Sequence, residues 1–138
     1  MANPWDDNTI LSKTLQKIKT KVEEYTGKTF NFVLLNRYKD GESYIGAHRD
    51  DEKELGDDPS IACITFGAER DFVFAPYRFI PLPDPNLELT NNKINIVLEH
   101  GSLCVMLDKT NTYWTHCIPK RSKIKLPRVS LTFRLIHL

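Results

Sequence analysis

The first part of the chain carries apolar residues at the spacing of an amphipathic helix. Between residues 8 and 26 they recur three to five positions apart, after an adjacent pair at the start, and Gly27 follows where such a helix would end. The apolar positions are Ile10, Leu11, Leu15, Ile18, Val22 and Tyr25. This pattern predicts one helix over residues 8–26 that packs against a flat surface.

Beyond Gly27 the apolar period falls to two, which is the spacing of half-buried strands. Short runs with this period are separated by the turn signals DG, GDDP and PLPDPN. The runs are FNFVLLNRY, SIACITFGA, RDFVFA, KINIVLEH, SLCVMLD and RVSLTFRLI. The predicted fold is mainly β, an antiparallel sandwich or barrel with the helix laid against it. We expect the proline-rich stretch 77–92 to be a surface loop without chemistry.

Length and composition describe a globular chain with one core. The 138 residues are 41% apolar and 27% charged, so we predict a single domain over 1–138. No apolar run approaches the roughly 18 residues that a membrane span needs. The opening residues MANPWDDNT resemble neither a secretory signal nor a transit peptide. We therefore expect an intracellular protein with no membrane partner.

The cysteines Cys63, Cys104 and Cys117 are odd in number and form no CxxC pair. Both facts argue against a disulfide framework and against a zinc site built on cysteine. We expect reduced thiols, two of them packed within strands.

Charge is divided unevenly along the chain, although the formal net charge is only +1. Residues 40–58 carry eight acids against two bases, whereas residues 118–138 carry six bases and no acid. The excess of bases near the carboxyl end suggests that this region binds a polyanion or a dianionic ligand. The alternative is that these bases are only solvated and bind nothing.

The triplet HRD at residues 48–50 offers a candidate metal site. In a strand, His48 and Asp50 would face the same side and present an imidazole and a carboxylate to one ion. His116 is the remaining histidine that neither precedes a turn nor ends the chain. Two histidines and one carboxylate form the facial triad that leaves positions open on Fe(II), whereas a structural zinc site needs a fourth ligand. A charged, solvated loop is the competing interpretation.

The last β run supplies candidate ligands for a dianion. Alternation along RVSLTFRL places its polar residues on one face, namely Arg128, Ser130, Thr132 and Arg134. Two guanidinium groups on that face would grip a dicarboxylate, or would simply meet solvent. Asn36 and Tyr38, two positions apart in LLNRYKDG, would add an amide and a phenol to the same ligand.

Taken in order, these motifs resemble those of the AlkB-type Fe(II)/2-oxoglutarate-dependent dioxygenases, and within them the homologues that repair alkylated double-stranded DNA. The matching segments run from about Pro4 to Ile136: NFVLLNRYKDGESYIGAHRDDE, SIACITFGAERDFVF, HGSLCVML, TNTYWTHCIPKR and PRVSLTFR. The resemblance implies a double-stranded β-helix, or jelly roll, over 29–138, with the helix 8–26 packed against it.

Roles for single residues follow from the same resemblance. The catalytic iron would be held by His48, Asp50 and His116. The residues that bind 2-oxoglutarate would be Asn36, Tyr38, Arg128, Thr132 and Arg134. The substrate base would be contacted by Asp51 and Glu52. The segment PKRSK, residues 119–123, would bring Arg121 and Lys123 to the DNA backbone.

The implied reaction is the oxidative demethylation of bases such as 1-methyladenine and 3-methylcytosine, in the repair of DNA alkylation damage. It would use Fe(II), 2-oxoglutarate and dioxygen, release succinate and carbon dioxide, and lose the methyl group as formaldehyde. A base inside a duplex must leave the stack to reach such a pocket. The resemblance also implies a nuclear monomer that acts on alkylated DNA and prefers the double-stranded form.

In one respect the chain departs from this family. Members of this kind carry, before the helix, a long segment that forms a nucleotide-recognition lid and a hydrophobic finger, and no stretch here matches it.

Three hypotheses follow. The chain is an active DNA demethylase, a shortened form that binds iron and 2-oxoglutarate with weak or no demethylase activity, or a non-enzymatic nucleic-acid binder.

Overall fold

A computed structural model describes residues 9–56, 59–82, 84, 86, 92–107 and 109–137. Within them the chain forms two α-helices, eight strands and a 3-10 turn at Lys53–Leu55. The helices are α1 (Ile10–Thr26) and α2 (Thr110–Tyr113). The strands are β1 (Phe32–Tyr38), β2 (Ile45–His48), β3 (Ile61–Gly67), β4 (Arg70–Pro76), β5 (Ile94–Leu98), β6 (Leu103–Met106), β7 (Trp114–Ile118) and β8 (Arg128–Arg134).

The strands form two antiparallel sheets of four strands each. One sheet has the order β1-β8-β3-β6 and the other has the order β2-β7-β4-β5. This arrangement confirms the predicted mainly β fold with one N-terminal helix, and it is consistent with a jelly roll. Six of the strands overlap the predicted β runs. The patterning does not predict β2 and β7, because IGAH and WTHCI are short and mix small or polar residues with apolar ones.

Two hydrophobic clusters join the layers. Between the sheets lie Tyr38, Leu55, Ile61, Phe72, Leu98, Met106 and Ile118. Between α1 and the first sheet lie Leu15, Val22, Phe30, Ala62, Leu131 and Phe133. Each large apolar side chain buried in this way contributes about 1.5–3 kcal/mol. Because Leu131 and Phe133 pack under the helix, alternation turns the polar residues of β8 toward the space between the sheets.

The helix α1 begins two residues later than predicted. Thr9 caps it, since the Thr9 hydroxyl accepts a hydrogen bond from the Ser12 amide at 3.2 Å, and Ile10 is the first helical residue. Its end agrees with the prediction, because Gly27 adopts a left-handed φ of 66° that favours glycine at a helix C-terminus.

The buried stripe of α1 is narrower than its apolar pattern predicts. Its buried residues are Ser12, Leu15 and Val22. Exposed fractions of 61–86% are found at Ile10, Leu11 and Tyr25. The helix therefore contacts the sheet along its middle and leaves apolar side chains at both ends in solvent.

The described part of the stretch 77–92 contains turns and neither helix nor strand, in line with a surface loop. Residues 83, 85 and 87–91 lie outside the described residues. All three cysteines are free thiols, and they lie in β3, β6 and β7. Within the described ranges, no helix is long and apolar enough to cross a membrane.

Candidate metal centre

The pairing of β2 with β7 brings the two candidate histidines together. His48, the last residue of β2, is the direct partner of His116 in β7, and their ring centroids lie 4.4 Å apart. The Asp50 carboxylate lies 3.8 Å from Nε2 of His48 and 3.5 Å from Nε2 of His116. One ligand atom from each residue lies within 4.8 Å of the other two. A single metal ion can therefore contact all three side chains.

The strand argument for Asp50 is wrong, because β2 ends at His48. The register also shifts between Ile45 and His48. The side chain of Asn111 in α2 holds the Asp50 backbone instead. Its Oδ1 accepts from the Asp50 amide at 2.9 Å, and its Nδ2 donates to the Asp50 carbonyl. Sequence reasoning missed Asn111, since it lies 61 positions from Asp50 and no local motif marks the contact.

The surroundings of both histidines suit metal binding. Nδ1 of His48 lies 2.8 Å from the Gly46 carbonyl, which favours a proton on that nitrogen and leaves Nε2 for a ligand. Burial, together with the nearby His48 and Arg134, lowers the pKa of His116 to about 4. Its ring is therefore neutral at physiological pH, the form that coordinates metals. Two imidazole nitrogens and one carboxylate are a donor set that fits non-haem Fe(II).

The strands β1 and β8 form the other wall of the same cleft. They pair in register, with Asn36 opposite Ser130 and Tyr38 opposite Arg128. The two walls face each other across one cleft. Alongside the triad it is lined by the polar residues Asn36, Tyr38, Arg128, Ser130, Thr132 and Arg134. The structure thus brings the candidate dianion ligands to the candidate metal ligands.

Arg128 is a buried cation on this β1–β8 wall, with an exposed fraction of 2%. Its Nη2 donates to the Thr65 hydroxyl at 2.9 Å and lies 3.9 Å from the Cys63 sulfur. Its guanidinium lies 5.1 Å from the centre of the Tyr38 ring. Its Nε is buried and meets no hydrogen-bond partner within the described part of the chain. Because an unpaired buried donor on a cation is costly, this environment fits an anionic ligand.

Arg134 joins the β1–β8 wall to the β2–β7 wall. Its Nη2 donates to Oδ1 of Asp50 at 2.6 Å, and its Nη1 donates to Oε1 of Glu52 at 3.2 Å. Burial raises the pKa of the Asp50 carboxyl, while the charges of Arg134 and His48 oppose that rise. A dianion held between the two arginines would therefore lie next to the triad.

The two acids that follow Asp50 differ in their surroundings. The Asp51 side chain is 71% exposed and lies 3.5 Å from Nη2 of Arg49. The Glu52 side chain is 53% exposed, and Arg134 holds its carboxylate. Asp51 is thus the acid that a molecule arriving from solvent meets more readily.

Residues 120–123 of the basic segment line a second cleft, together with Asp71. Nε of Arg121 donates a close hydrogen bond to Oδ2 of Asp71. A hydrogen bond from Asn95 and the contact with Arg121 both lower the pKa of Asp71. The guanidinium of Arg121, which the family resemblance assigns to the DNA backbone, is therefore paired with an acid of the same chain, whereas Lys123 is exposed on a turn.

Arg70, the first residue of β4, ties this segment to the β1–β8 wall. It is 1% exposed, and it donates to the carbonyls of Asp40 at 3.2 Å, Ser43 at 2.8 Å and Pro119 at 2.7 Å. Its guanidinium lies 5.6 Å from the Tyr38 ring centre. Sequence reasoning missed Arg70, since an arginine at the start of a strand ordinarily faces solvent.

Comparison with known proteins agrees with this geometry. Two proteins named DNA oxidative demethylase ALKBH2, from Homo sapiens and Mus musculus, are each 48% identical to the chain. The matches cover 90% and 88% of the chain and 46% and 50% of those proteins. The Homo sapiens protein named alpha-ketoglutarate-dependent dioxygenase alkB homolog 3 is 40% identical, over 89% of the chain and 42% of its own length.

The chain therefore spans about half the length of the curated relatives it matches. A family model describes nearly all of it, since the match extends over residues 3–134. The cluster of two histidines and an aspartate lies within that match. The chain belongs to the 2OG-Fe(II) oxygenase superfamily.

Proposed function

We propose that this chain is the catalytic unit of an Fe(II)/2-oxoglutarate-dependent dioxygenase that oxidatively demethylates N-alkylated bases in DNA. The observation that carries the proposal is one cleft that contains both a cluster of two histidines and a carboxylate, and two largely buried arginines. The cluster suits non-haem Fe(II), and the arginines suit a dicarboxylate. The relatives named as DNA oxidative demethylases supply the substrate class.

In this proposal, His48, Asp50 and His116 hold the iron. When bound, iron of this type activates dioxygen with electrons that come from the oxidative decarboxylation of 2-oxoglutarate. A facial set of three protein ligands would leave adjacent positions on the iron open for the cosubstrate and dioxygen. Asn111 keeps the Asp50 backbone in place, and the Gly46 carbonyl keeps Nε2 of His48 directed at the site.

We assign the two carboxylates of 2-oxoglutarate to Arg128 and Arg134. Arg134 contacts Asp50, so it would bind the carboxylate nearer the metal, and Arg128 would bind the farther one. Burial raises the pKa of Tyr38, so its phenol stays protonated and can donate a hydrogen bond. The remaining members of this set are Asn36 and Thr132.

The substrate assignment starts from charge. 1-Methyladenine and 3-methylcytosine are cationic, so an acid beside the pocket would stabilise them. We assign the direct contact to Asp51, because it is the more exposed acid, and we give Glu52 a supporting role through Arg134. Extrusion of the base from the duplex costs a few kcal/mol, and the cost is lowest for a lesion that cannot pair.

We also propose that Lys123 and Arg121 contact the backbone of double-stranded DNA. Lys123 would be the stronger contact, because a phosphate must compete with Asp71 for the guanidinium of Arg121. Residues 1–138 would form one domain, supported by the two hydrophobic clusters that join the helix and both sheets. A monomer in the nucleus would suit a DNA substrate.

The test measures succinate formation by the purified chain with Fe(II), ascorbate, 2-oxoglutarate and air. It compares a duplex that contains 1-methyladenine with the same duplex unmethylated. We expect the methylated duplex to stimulate succinate formation, with an equal loss of methyl groups. Succinate without demethylation would instead support the shortened form. Salt-sensitive DNA binding without succinate would leave only the nucleic-acid binder.

A further inference from the structure

Two of the three cysteines face each other across neighbouring strands. Cys63 in β3 and Cys104 in β6 are direct partners in the antiparallel register, and both side chains line the cleft that contains the triad. The Cα atoms of direct antiparallel partners lie about 4.5–5.5 Å apart. That spacing is within the roughly 4.4–6.8 Å that a disulfide spans. The backbone therefore holds the two residues at a Cα spacing that a disulfide can span.

This thiol pair adjoins the residues assigned to 2-oxoglutarate. Nη2 of Arg128 lies 3.9 Å from the Cys63 sulfur. On its other side, Cys63 is the direct partner of Thr132 in β8. A change in the position of the Cys63 sulfur would therefore disturb two residues of the proposed cosubstrate site, Arg128 and Thr132.

We propose that Cys63 and Cys104 form a peroxide-sensitive dithiol site whose disulfide weakens 2-oxoglutarate binding. The oxidant is hydrogen peroxide or another small peroxide able to enter the cleft. The formation of the bond is independent of the proposed function, whereas its effect on the cosubstrate rests on that function.

The reaction balances as two thiols and one hydrogen peroxide giving one disulfide and two waters. The Cys63 thiolate attacks a peroxide oxygen and the O–O bond breaks, which gives a sulfenic acid at Cys63. The leaving hydroxide takes up the proton that the Cys63 thiol released and becomes the first water. The Cys104 sulfur then attacks the Cys63 sulfur and breaks its S–O bond. The second water leaves with the proton from Cys104. Each sulfur loses one electron, and the peroxide gains two.

The surroundings assign the first attack to Cys63. Nη2 of Arg128 lies beside its sulfur and can donate a hydrogen bond to it. Burial, with a smaller contribution from Cys63, raises the pKa of Cys104 to about 11. Cys104 is therefore suited to the second step, where its partner is already in place.

The first experiment detects the bond. Metal-free protein with a chelator is treated with hydrogen peroxide and mapped by peptide mass spectrometry, so that iron chemistry does not oxidise side chains. The Cys117→Ser variant is the background, because Cys117 lies in β7 and is not part of the pair. We expect a Cys63–Cys104 peptide that dithiothreitol abolishes and that is missing when either residue becomes serine. Oxidation to sulfinic acids without this peptide would overturn the dithiol site.

The second experiment measures the consequence. After peroxide is removed, Mn(II) is added as a stand-in for iron, and 2-oxoglutarate binding is compared calorimetrically in the oxidised and reduced proteins. We expect at least about tenfold weaker binding after oxidation, because Arg128 loses alignment with its ligand. Binding by Cys63→Ser, which lacks the thiol that reacts first, should not respond to the same treatment. Equal affinities in the crosslinked and reduced proteins would overturn the proposed effect.

A third outcome separates this inference from the proposed function. If the reduced protein fails to bind 2-oxoglutarate and the crosslink still forms, the cosubstrate assignment and the effect on binding are overturned. The dithiol assignment is then upheld on its own.

Discussion

The two walls of the cleft are built by different means. The β1–β8 wall is a regular ladder of seven residue pairs, from Phe32 opposite Arg134 to Tyr38 opposite Arg128. The β2–β7 wall has a register shift, and its carboxylate Asp50 lies beyond the end of the strand. In place of strand pairing, the Asn111 side chain makes two hydrogen bonds to the Asp50 backbone, and these form a tether that holds it. Sheet alternation alone thus places the candidate anion-binding residues, whereas the candidate metal ligands need contacts between distant segments.

The largest effect is expected at the metal cluster. Asp50→Ala removes its carboxylate ligand and should abolish Fe(II) binding, while the β1–β8 wall stays folded. Anaerobic calorimetry with Fe(II) gives the affinity, and circular dichroism checks the fold. Asp51→Ala is the matched control, because the neighbouring acid is exposed. Metal affinity that persists in Asp50→Ala would contradict the assignment of the triad.

Next comes a test of the regular wall alone. Arg128→Lys keeps the charge and removes the planar fork, so 2-oxoglutarate affinity should fall by about 10- to 100-fold. Fe(II) affinity should stay unchanged, since Arg128 contacts Thr65 and Tyr38 rather than the triad. Both affinities are measured by calorimetry on one preparation. A parallel loss of iron binding would point to misfolding instead.

A smaller effect should follow from loosening the tether on the irregular wall. Asn111→Ala leaves the Asp50 backbone without its side-chain partner, and Fe(II) affinity should fall by about tenfold. Thr112→Ala is the control, because its backbone carbonyl still accepts from Arg49. If the two variants bind iron equally well, the tether does not position Asp50.

The irregular wall also predicts a pH dependence. The pKa of His116 is about 4 in the fold against an ordinary 6.5, so between these values the unfolded chain binds a proton that the folded chain does not. Metal-free protein should lose stability as the pH falls through this window. The raised pKa of Asp50 works in the opposite direction. Thermal unfolding should show a shallower loss in His116→Gln, and an equal loss would assign the effect to other groups.

The smallest effect lies outside both walls, in the basic segment. Lys123→Ala should lower the salt slope of DNA binding by about 1, and Arg121→Ala should lower it by less, because Arg121 is paired with Asp71. Fluorescence anisotropy at several salt concentrations measures both slopes. A larger change for Arg121 would show that phosphate displaces Asp71.

Local sequence pattern alone predicts the regular elements of the molecule, such as the faces of a strand and the end of a helix. Alternation along RVSLTFRL separates Arg128 and Arg134 from Leu131 and Phe133, and the fold keeps that separation. The end of α1 at Gly27 is also a local event, because glycine adopts its left-handed φ without steric cost.

The sequence also identified His48, Asp50 and His116 as one candidate cluster. It did so by assuming that His48 and Asp50 share a strand, and the structure shows a different cause for their proximity. Alternation cannot place Asp50, which lies outside β2, and no local rule links it to Asn111. The opposition of Cys63 and Cys104 depends in the same way on which strands become neighbours.

The sequence by itself therefore determined the mainly β class, the face of β8 that lines the cleft and the identity of the candidate metal ligands. Only the tertiary structure decided how Asp50 is held, that Arg134 joins the two walls, and that Arg70 is buried beneath the basic segment. The physical reason is the range of the interactions. Side-chain alternation and helix ends depend on neighbours along the chain, whereas these contacts join strands and loops whose adjacency is fixed only when the two sheets pack.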